Sequence, residues 1–305
     1  MPQRYAAAPA NRVSGDTGTV SDLGPVNPGR AAETAWLRRW QLRPEGDPVV
    51  TASSTLTAVQ TSDGEPAMLK VAHLDEEVRG SDLLIALDGQ GAARVLRHER
   101  SALLLERATG GRNLVEMVDA GRDDEATRII CAAAAAIHRA TDDVLGRDEP
   151  PELIDLPTWF SHLFAEADGL GAFHRRGAEL AAALFEGPRE AVVLHGDLHH
   201  GNVLDFGERG WLAIDPKGLI GEAAFDYCNL LCNPSHERAL QPGRLERQFG
   251  VVVASAGLEP ERLAQWLVAW CALSSTWFAI DDDQRLADSA AAIGELALSL
   301  SAYGA

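Results

Sequence analysis

The stretch "VVLHGDLHHGNVLDFGERGWLAIDPKG", residues 192–218, decides the fold, because a glycine-containing turn separates two short apolar runs that carry polar residues at their ends. The runs "NVLD" and "WLAID" predict a β-hairpin. If the turn "GERG" is a four-residue loop, Phe206 faces Trp211 and Asn202 faces Asp215. A slip of one residue changes that pairing but leaves both polar side chains at the same end of the hairpin.

The polar residues of this stretch have the spacing that phosphoryl transfer needs. An amide oxygen from Asn202 and a carboxylate from Asp215 are hard ligands of the kind that Mg²⁺ prefers. Asp197 lies in the loop that enters the hairpin, where a separate carboxylate can orient or deprotonate an attacking hydroxyl. Asp197 and Asn202 also match the kinase pattern D-x-x-x-x-N. The sequence therefore predicts Asp197 as the catalytic residue and Asn202 and Asp215 as metal ligands.

Three histidines in the same stretch raise the alternative of a zinc site. His195, His199 and His200 would need to share one face of a helix to bind a single ion. Gly196 and Gly201 interrupt the segment, which then runs into a strand, so a loop is predicted instead. The zinc interpretation is therefore set aside in favour of packed loop histidines.

The order of elements outside this stretch predicts two lobes. A helix in "AAETAWLRRWQL" is followed by strands in "VVTASSTLTAVQT" and "AMLKVA", a helix in "DEEVRGSDLLIAL" and strands in "ARVLRH" and "ALLLER". Helical patterns dominate after these strands. We therefore predict an α+β fold with a mobile segment over residues 1–30, a small antiparallel-sheet lobe over residues 31–107 and a larger helical lobe over residues 108–305.

Composition limits the function classes. The 305 residues include 27 Lys and Arg against 45 Asp and Glu, a net charge of −18, which argues against nucleic acid and anionic membranes as partners. It favours a cationic or metal-bound ligand. The four cysteines lack a paired spacing and predict buried thiols in a reduced compartment. With no apolar leader segment, we expect a cytoplasmic protein, a monomer or a weak dimer.

Several motifs occur together in a fixed order. They are "AMLKVA", "DGQGAARVL", "ALLLERATGG", "LHGDLHHGNVL", "WLAIDPKGLIGEAAFD" and "WLVAWCALSSTWF", which span roughly residues 50 to 280. In them the chain resembles the aminoglycoside phosphotransferases, above all the streptomycin 6-phosphotransferase group, the aminoglycoside/hydroxyurea antibiotic resistance kinases. The resemblance implies a bilobal protein-kinase-like fold. It also implies phosphorylation, dependent on ATP and Mg²⁺, of a hydroxyl of a cationic aminoglycoside, the 6-hydroxyl of streptomycin in particular, with antibiotic resistance as the result.

The resemblance also implies the nucleotide contacts of the smaller lobe. Lys70 would hold the α- and β-phosphates, with Glu76 or Glu77 as its carboxylate partner. The backbone of Glu106 and Ala108 would contact adenine as the hinge between the lobes. The choice between the two glutamates stays open.

The loop that would cover the phosphates, "TASSTLT", contains no glycine, unlike the corresponding loop of protein kinases. Ser53, Ser54 and Thr55 offer hydroxyl and backbone N–H groups to a phosphate. Most turns rich in serine and threonine bind nothing, so this assignment depends on the other motifs.

The larger lobe supplies the remaining implied roles. Asp226 would support the catalytic loop, while Glu222 stands where the family carries an aspartate. The end of the tryptophan-rich segment lies where the family places a substrate wall. The residues considered there for a cationic substrate are Trp277, Asp281, Asp282 and Asp283.

Three rival functions remain open at the level of the sequence. The same catalytic residues would serve a kinase of hydroxyurea, of a peptide antibiotic or of a metabolite. A nucleotide-binding pseudokinase is a second rival, against which the presence of Lys70, Asp197, Asn202 and Asp215 argues. A plain ATP hydrolase is a third, although the sequence has no P-loop motif G-x-x-x-x-G-K-[ST].

Overall fold

The computed structural model describes residues 28–51 and 53–300, and it gives the backbone alone for residues 28–31 and 75–77. The mobile segment predicted for residues 1–30 lies outside the described residues, apart from the start of the first helix. The described chain forms an antiparallel sheet followed by a mainly helical region, which confirms the predicted α+β class.

The first part of the chain folds into a six-stranded sheet in which every pairing is antiparallel. Its strands are β1 Arg43–Pro44, β2 Val49–Val50, β3 Ser54–Gln60, β4 Pro66–Ala72, β5 Val95–Glu99 and β6 Ala102–Glu106. Along the sheet they run in the order β1-β3-β4-β6-β5, and β2 also pairs with β3. The strands predicted in "VVTASSTLTAVQT" and "AMLKVA" correspond to β3 and β4, which pair as an antiparallel hairpin.

Two smaller sheets lie in the second part of the chain. Their strands are β7 Ile154–Asp155, β8 Ala191–Leu194, β9 Val203–Asp205, β10 Trp211–Ala213 and β11 Leu219–Glu222. The strands β9 and β10 form the predicted antiparallel hairpin, while β11 pairs with β7 in parallel and with β8 in antiparallel orientation. These two small sheets, formed mainly by residues 191–222, thus lie within a mainly helical region.

Helices make up the rest of the described chain. One helix precedes the first sheet, a second lies between β4 and β5, and the others follow β6. They are α1 Pro28–Arg39, α2 Asp75–Leu87, α3 Leu114–Asp119, α4 Asp123–Arg139, α5 Thr141–Leu145, α6 Leu156–Trp159, α7 Ser161–Leu170, α8 Ala172–Glu186, α9 Asp226–Leu231, α10 His236–Ala239, α11 Arg244–Ala256, α12 Pro260–Ile280 and α13 Gln284–Ala297. The predicted segment "DEEVRGSDLLIAL" coincides with α2.

Apolar side chains form one cluster on each face of the first sheet. Successive residues of a strand point to opposite faces. Accordingly, Leu104 packs with Leu69 under Trp36 of α1, whereas Leu103 and Leu105 belong to the other cluster. That second cluster continues through α2 into the helical region. The two lobes therefore share one core, and its packing sets their relative position.

Helix α12 lies at the centre of the helical region, packed against α7, α8 and α13. Trp266 on this helix is 1% exposed, and its ring centroid lies 5.8 to 6.2 Å from those of Phe160, Phe185 and Phe225. The helix has the length and composition of a membrane span, but 67% of its most apolar window is buried inside the fold. Its apolar character is therefore accounted for by the core.

The four cysteines are free and buried, as the sequence predicted. Burial raises the pKa of the Cys131 thiol to about 12 and also raises the pKa values of Cys228 and Cys271. Because the thiolate is the reactive form, these residues behave as small apolar side chains.

Truncation of Trp266 to alanine should be among the most destabilising single changes in the helical region. Trp266→Ala leaves a cavity among three phenylalanines, and we expect the free energy of unfolding to fall by about 3–5 kcal/mol. Leu296→Ala, at a position 40% exposed, is the control and should cost far less. Urea denaturation followed by circular dichroism measures both values, and equal losses would contradict this description of the core.

Candidate active site

The loop between β8 and β9 is held by one buried carboxylate at the start of α9. Asp226 is 2% exposed, and its two oxygens accept hydrogen bonds from the backbone N–H of His195 at 2.9 Å and of Gly196 at 2.7 Å. His138 Nε2 lies 2.8 Å from the same carboxylate. Gly196 has a φ of +82°, which favours glycine. This geometry supports the predicted role of Asp226 in supporting the loop.

The ring of His195 connects this hydrogen-bond network to Asp197. His195 Nε2 lies 2.8 Å from the carbonyl oxygen of Ile214, which can only accept, so Nε2 carries the proton. Nδ1 is then free to accept a hydrogen bond from the backbone N–H of Asp197 at 3.2 Å. Burial lowers the pKa of His195, in agreement with a neutral ring. His195 therefore connects the loop to Ile214, which lies between β10 and Asp215.

The two other histidines of the loop have separate surroundings. His199 Nδ1 accepts a hydrogen bond from the backbone N–H of Gly201 at 3.0 Å. His200 is buried, and burial together with the charge of Arg244 lowers its pKa to about 3. Among the described residues, no group of three His, Cys, Asp or Glu side chains is arranged to hold a metal ion.

Two asparagine side chains contact the carboxylate of Asp197. Asn229 Nδ2 donates to Asp197 Oδ1 at 2.7 Å, and Asn202 Nδ2 lies 3.4 Å from Oδ2 while donating to the backbone carbonyl of Asp197 at 2.9 Å. The sequence-based analysis missed Asn229. The sequence places Asn229 three residues after Asp226. Residues three apart lie on the same face of a helix, so this spacing could have pointed to Asn229.

The hairpin has a different register from the predicted one. Trp211 pairs with Asp205, not with Phe206, and the Ile214 N–H donates to the Asn202 carbonyl at 2.8 Å, so Asn202 does not face Asp215. The prediction was wrong by one residue because a 3₁₀ turn at the tip makes the loop five residues long, closed by a hydrogen bond between Phe206 and Gly210. Asn202 and Asp215 still lie at the same end of the hairpin.

Lys70 on β4 contacts Asp215 through an ion pair that links the two lobes. Lys70 is 6% exposed. Burial raises the pKa of the Asp215 carboxyl, but the charges of Lys70 and Lys217 outweigh it and hold the pKa well below its usual range. Asp215 also has a φ of +63°, an uncommon conformation for a residue other than glycine that often marks functional sites. The carboxylate is therefore ionised and held in place.

Asn202 and Asp215 fit the requirements of a Mg²⁺ site. Asn202 uses its amide N–H₂ group for Asp197, which turns its oxygen away from that contact, and no hydrogen bond to this oxygen occurs among the described residues. The ionised carboxylate of Asp215 supplies a second hard oxygen. Mg²⁺ is commonly bound by one or two protein oxygens together with phosphates and water, so two protein ligands suffice.

The glycine-free loop before β3 is closed by the hydroxyl of Thr51. This hydroxyl accepts from the Ser54 N–H and donates to the Ser54 carbonyl, both at 3.0 Å. Ser54 is 4% exposed, and its hydroxyl lies 3.3 Å from that of Thr51, so its polar groups are engaged within the loop. Ser53 is half-buried, and its carbonyl accepts from the His73 N–H at 2.7 Å. The Ser53 hydroxyl lies 3.5 Å from that of Thr51, so both serines have partners within this loop.

The predicted hinge lies against the tip of the hairpin. The carboxylate of Glu106 accepts from the backbone N–H of Arg94 at 2.5 Å and forms an ion pair with Arg209. Ala108 packs with Leu204 and Ile214 beside a small cluster of buried apolar residues. An apolar surface thus adjoins the hinge backbone, next to Asp215.

Helix α2, which carries Glu76 and Glu77, packs closely on the residues after Asp215. The side chains of these two glutamates lie outside the described part of the chain, so the choice between them stays open. A Cβ added to Gly80 would lie 2.0 Å from the carbonyl oxygen of Pro216, which only glycine allows. Helix α2 is therefore in direct contact with the segment that follows Asp215.

The residues of the predicted substrate wall lie around the turn between α12 and α13. Trp277 Nε1 donates to His162 at 3.1 Å, and its ring contacts Trp159 and Trp270 edge to face. Asp283 accepts from the Leu286 N–H and begins α13. Asp281 ends α12, and Asp282 has a φ of +61°.

Glu222 also has a structural environment. Its carboxylate accepts three hydrogen bonds from Arg262 at 2.6 to 3.1 Å, and Arg262 in turn donates to the carbonyls of Leu184 and Gly187. Glu222 therefore joins β11 to α12 and to the end of α8.

Comparisons with known proteins agree with this geometry. The chain matches the family model of the aminoglycoside/hydroxyurea antibiotic resistance kinases over residues 39–282. It is 47% identical to a streptomycin 3''-kinase of Klebsiella pneumoniae over 247 residues, covering 79% of this chain and 90% of the relative. It is 31% identical to a streptomycin 6-kinase of Streptomyces griseus over 274 residues, covering 84% and 85%.

Solved structures share the fold at low sequence identity. A complex of a thermostable mutant of the aminoglycoside phosphotransferase APH(4)-Ia with AMP-PNP and hygromycin B superposes with a TM-score of 0.61 at 14% identity. The match covers 90% of this chain and 100% of that one. This similarity establishes the kinase-like fold.

Gly80 should tolerate no side chain, in contrast to a second helical glycine. Gly80→Ala forces α2 away from Pro216, and we expect overpacking of this kind to lower the free energy of unfolding by about 1–3 kcal/mol. Stabilisation of the protein by added Mg²⁺ and ATP should shrink as well, because Pro216 adjoins Asp215. Thermal unfolding with and without Mg²⁺ and ATP measures both effects.

Gly250→Ala is the matched control, because no atom lies within 4 Å of the added Cβ on α11. The change should stabilise the protein by up to about 1 kcal/mol through helix propensity alone. Equal behaviour of the two variants would show that the contact with Pro216 is unimportant.

Proposed function

The chain belongs to the aminoglycoside/hydroxyurea antibiotic resistance kinases, and from this premise we propose that it transfers the γ-phosphoryl group of ATP to a hydroxyl of streptomycin. The observation that carries the choice of substrate is the 47% identity over 247 residues with a streptomycin 3''-kinase. The products are ADP and a phosphorylated, inactivated antibiotic. The negative charge of the protein, −18, suits a cationic acceptor of this kind.

Asp197 is the catalytic residue in this proposal. Its carboxylate orients the acceptor hydroxyl and takes the proton as the new O–P bond forms and the bond to ADP breaks. Because phosphoryl transfer has a loose transition state, positioning and charge stabilisation carry most of the rate.

Lys70, Asn202 and Asp215 hold the phosphates of the nucleotide. Asn202 and Asp215 bind Mg²⁺, which when bound neutralises charge on the β- and γ-phosphates. Lys70 contacts the α- and β-phosphates from β4, supported by Glu76 or Glu77 from α2. Its ion pair with Asp215 supports this arrangement, because it keeps the lysine at the mouth of the metal site.

The adenine ring lies between the two lobes in this proposal. The backbone of Glu106 and Ala108 forms its polar contacts, and the apolar side chains of Leu204 and Ile214 lie beneath it. Residues 31–107 then form the nucleotide-binding lobe and residues 108–305 the lobe that carries the catalytic loop and the substrate site. Ser53 covers the phosphates. We also propose that the protein lies in the cytoplasm, where ATP is available, and that it is a monomer or a weak dimer.

The proposal also specifies which hydroxyl of streptomycin accepts the phosphoryl group. The sequence alone led us to expect the 6-hydroxyl of streptomycin. The relative at 47% identity is named as a 3''-kinase, whereas the one named as a 6-kinase is 31% identical. We therefore propose the 3''-hydroxyl and keep the 6-hydroxyl as the alternative. Hydroxyurea remains a second candidate acceptor, because the family description includes it.

Transfer of phosphate from ATP should be selective for streptomycin and should depend on Asp197. We expect Asp197→Ala to lower kcat by about a hundredfold to ten-thousandfold while leaving the affinity for ATP nearly unchanged. The assay measures ADP release with streptomycin, a deoxystreptamine aminoglycoside, a peptide antibiotic or hydroxyurea, and chelation of Mg²⁺ should abolish it. Asp143→Ala, an exposed change on α5, is the matched control. An unchanged kcat in Asp197→Ala would remove this residue from the mechanism, and transfer to hydroxyurea alone would replace the substrate.

The position of the new phosphate should be the 3''-hydroxyl. Phosphorus–proton correlation NMR of the purified product identifies the carbon that carries the phosphate. A signal at the 6-position would group the chain functionally with the 6-kinases in spite of its lower identity to them.

A further inference from the structure

We propose that Asn229 is a positioning residue that orients the Asp197 carboxylate, and that Asn233 fixes the orientation of Asn229. The inference rests on the proposed role of Asp197 as the catalytic carboxylate. It adds a residue 32 positions away in the sequence, on a different element, to the machinery of the reaction.

The contact between Asn229 and Asp197 has the geometry of a strong, charge-assisted hydrogen bond. Asn229 Nδ2 lies 2.7 Å from Asp197 Oδ1. Among the described residues, the hydrogen bond found at the other carboxylate oxygen, Oδ2, is the longer one of 3.4 Å from Asn202. Asn229 therefore holds one oxygen firmly and leaves the second as the better candidate to accept a proton from the acceptor hydroxyl.

Asn233 determines which end of the Asn229 amide faces Asp197. Asn233 Nδ2 donates to Asn229 Oδ1 at 3.0 Å and to the Asn229 backbone carbonyl at 2.9 Å. If the Asn229 amide were flipped, its N–H₂ group would meet the donor of Asn233 and its oxygen would meet the carboxylate of Asp197. Both contacts would be repulsive, so the donor must point at Asp197.

A buried ion pair holds the segment that carries Asn233. Arg244 donates to the Asn233 carbonyl at 3.0 Å and to both carboxylate oxygens of Asp123 at 2.7 and 3.0 Å. The side chains of Arg244 and Asp123 are each 7% exposed. The orientation of Asn229 is thus anchored to the start of α4 and to α11, which are parts of the rigid core.

Helix α9 consequently holds the catalytic loop at two points. Asp226, its first residue, binds the loop backbone, and Asn229 binds the side chain of Asp197. These residues are three positions apart and share one face of the helix. One rigid element therefore fixes both the path of the loop and the direction of its carboxylate.

The alternative is that Asn229 only stabilises the end of α9, and the variant Asn229→Asp separates the two roles. Aspartate has nearly the same shape and still accepts the hydrogen bond from Asn233, but it replaces the donor that faces Asp197 with a second carboxyl group, which either repels the Asp197 carboxylate or shares a proton with it. We expect kcat for streptomycin phosphorylation to fall about tenfold to hundredfold, since misplacement of a catalytic group has effects of this size. KM for ATP should stay near the wild-type value.

Asn113→Asp is the matched control, because it makes the same chemical change at an exposed position. Asn113 begins α3 by accepting hydrogen bonds from the N–H groups of Val115 and Glu116, and aspartate does this equally well. Its kcat should stay within about twofold of wild type, the size of effect expected when no contact to the reacting groups is lost. If Asn229→Asp is not recovered in folded form, Asn229→Ala takes its place with the same expected split between kcat and KM.

A double-mutant cycle gives the decisive readout. In an Asp197→Ala background, Asn229→Asp should have no further effect on the residual rate, because no carboxylate is left to orient. Additive losses, or a kcat for Asn229→Asp within about twofold of wild type, would overturn the proposal. If the wild-type protein does not phosphorylate streptomycin, the proposed substrate fails. The same cycle is then measured on the Mg²⁺-dependent hydrolysis of ATP, in which water replaces the acceptor hydroxyl and the test of Asn229 remains valid.

Discussion

The buried carboxylate of Asp226 is the interaction on which the rest of the site depends. A buried charge without hydrogen-bonding partners is strongly unfavourable, and Asp226 meets this requirement by accepting from two backbone N–H groups and by contacting His138. These contacts fix the loop at His195 and Gly196. His195 then contacts the carbonyl of Ile214, so the loop and the segment that carries Asp215 are held by one set of hydrogen bonds.

A second constraint joins the lobes where the nucleotide is proposed to bind. Arg209 at the hairpin tip pairs with Glu106 of the hinge, and Arg112 donates to the buried carboxylate of Asp205 at 2.7 and 3.0 Å. A Cβ on Gly110 would lie 2.1 Å from that carboxylate, so the chain after the hinge runs directly against the hairpin. These contacts hold the hairpin against the chain that follows β6. They therefore fix the position of the hairpin relative to the first sheet.

Because the loop before β3 contains no glycine, other groups must provide most of the phosphate contacts in the proposed function. Thr51 uses the Ser54 N–H that a glycine-rich loop would offer to a phosphate. In the proposed function, Lys70 and a Mg²⁺ ion held by Asn202 and Asp215 would then supply most of the positive charge at the phosphates. The strict placement of Asp215, ionised and in a left-handed backbone conformation, agrees with that demand.

The sequence by itself determined the fold class, the bounds of α2, the hairpin of β3 and β4, and the spacing of Asp197, Asn202 and Asp215. These features depend on short-range periodicity and on motifs within a few residues, which a sequence displays directly. Only the tertiary structure decided the hairpin register, the contact of Asn229 with Asp197 and the close approach of Gly80 to Pro216. Such features join residues far apart in the chain, so they depend on how whole elements pack and not on local pattern.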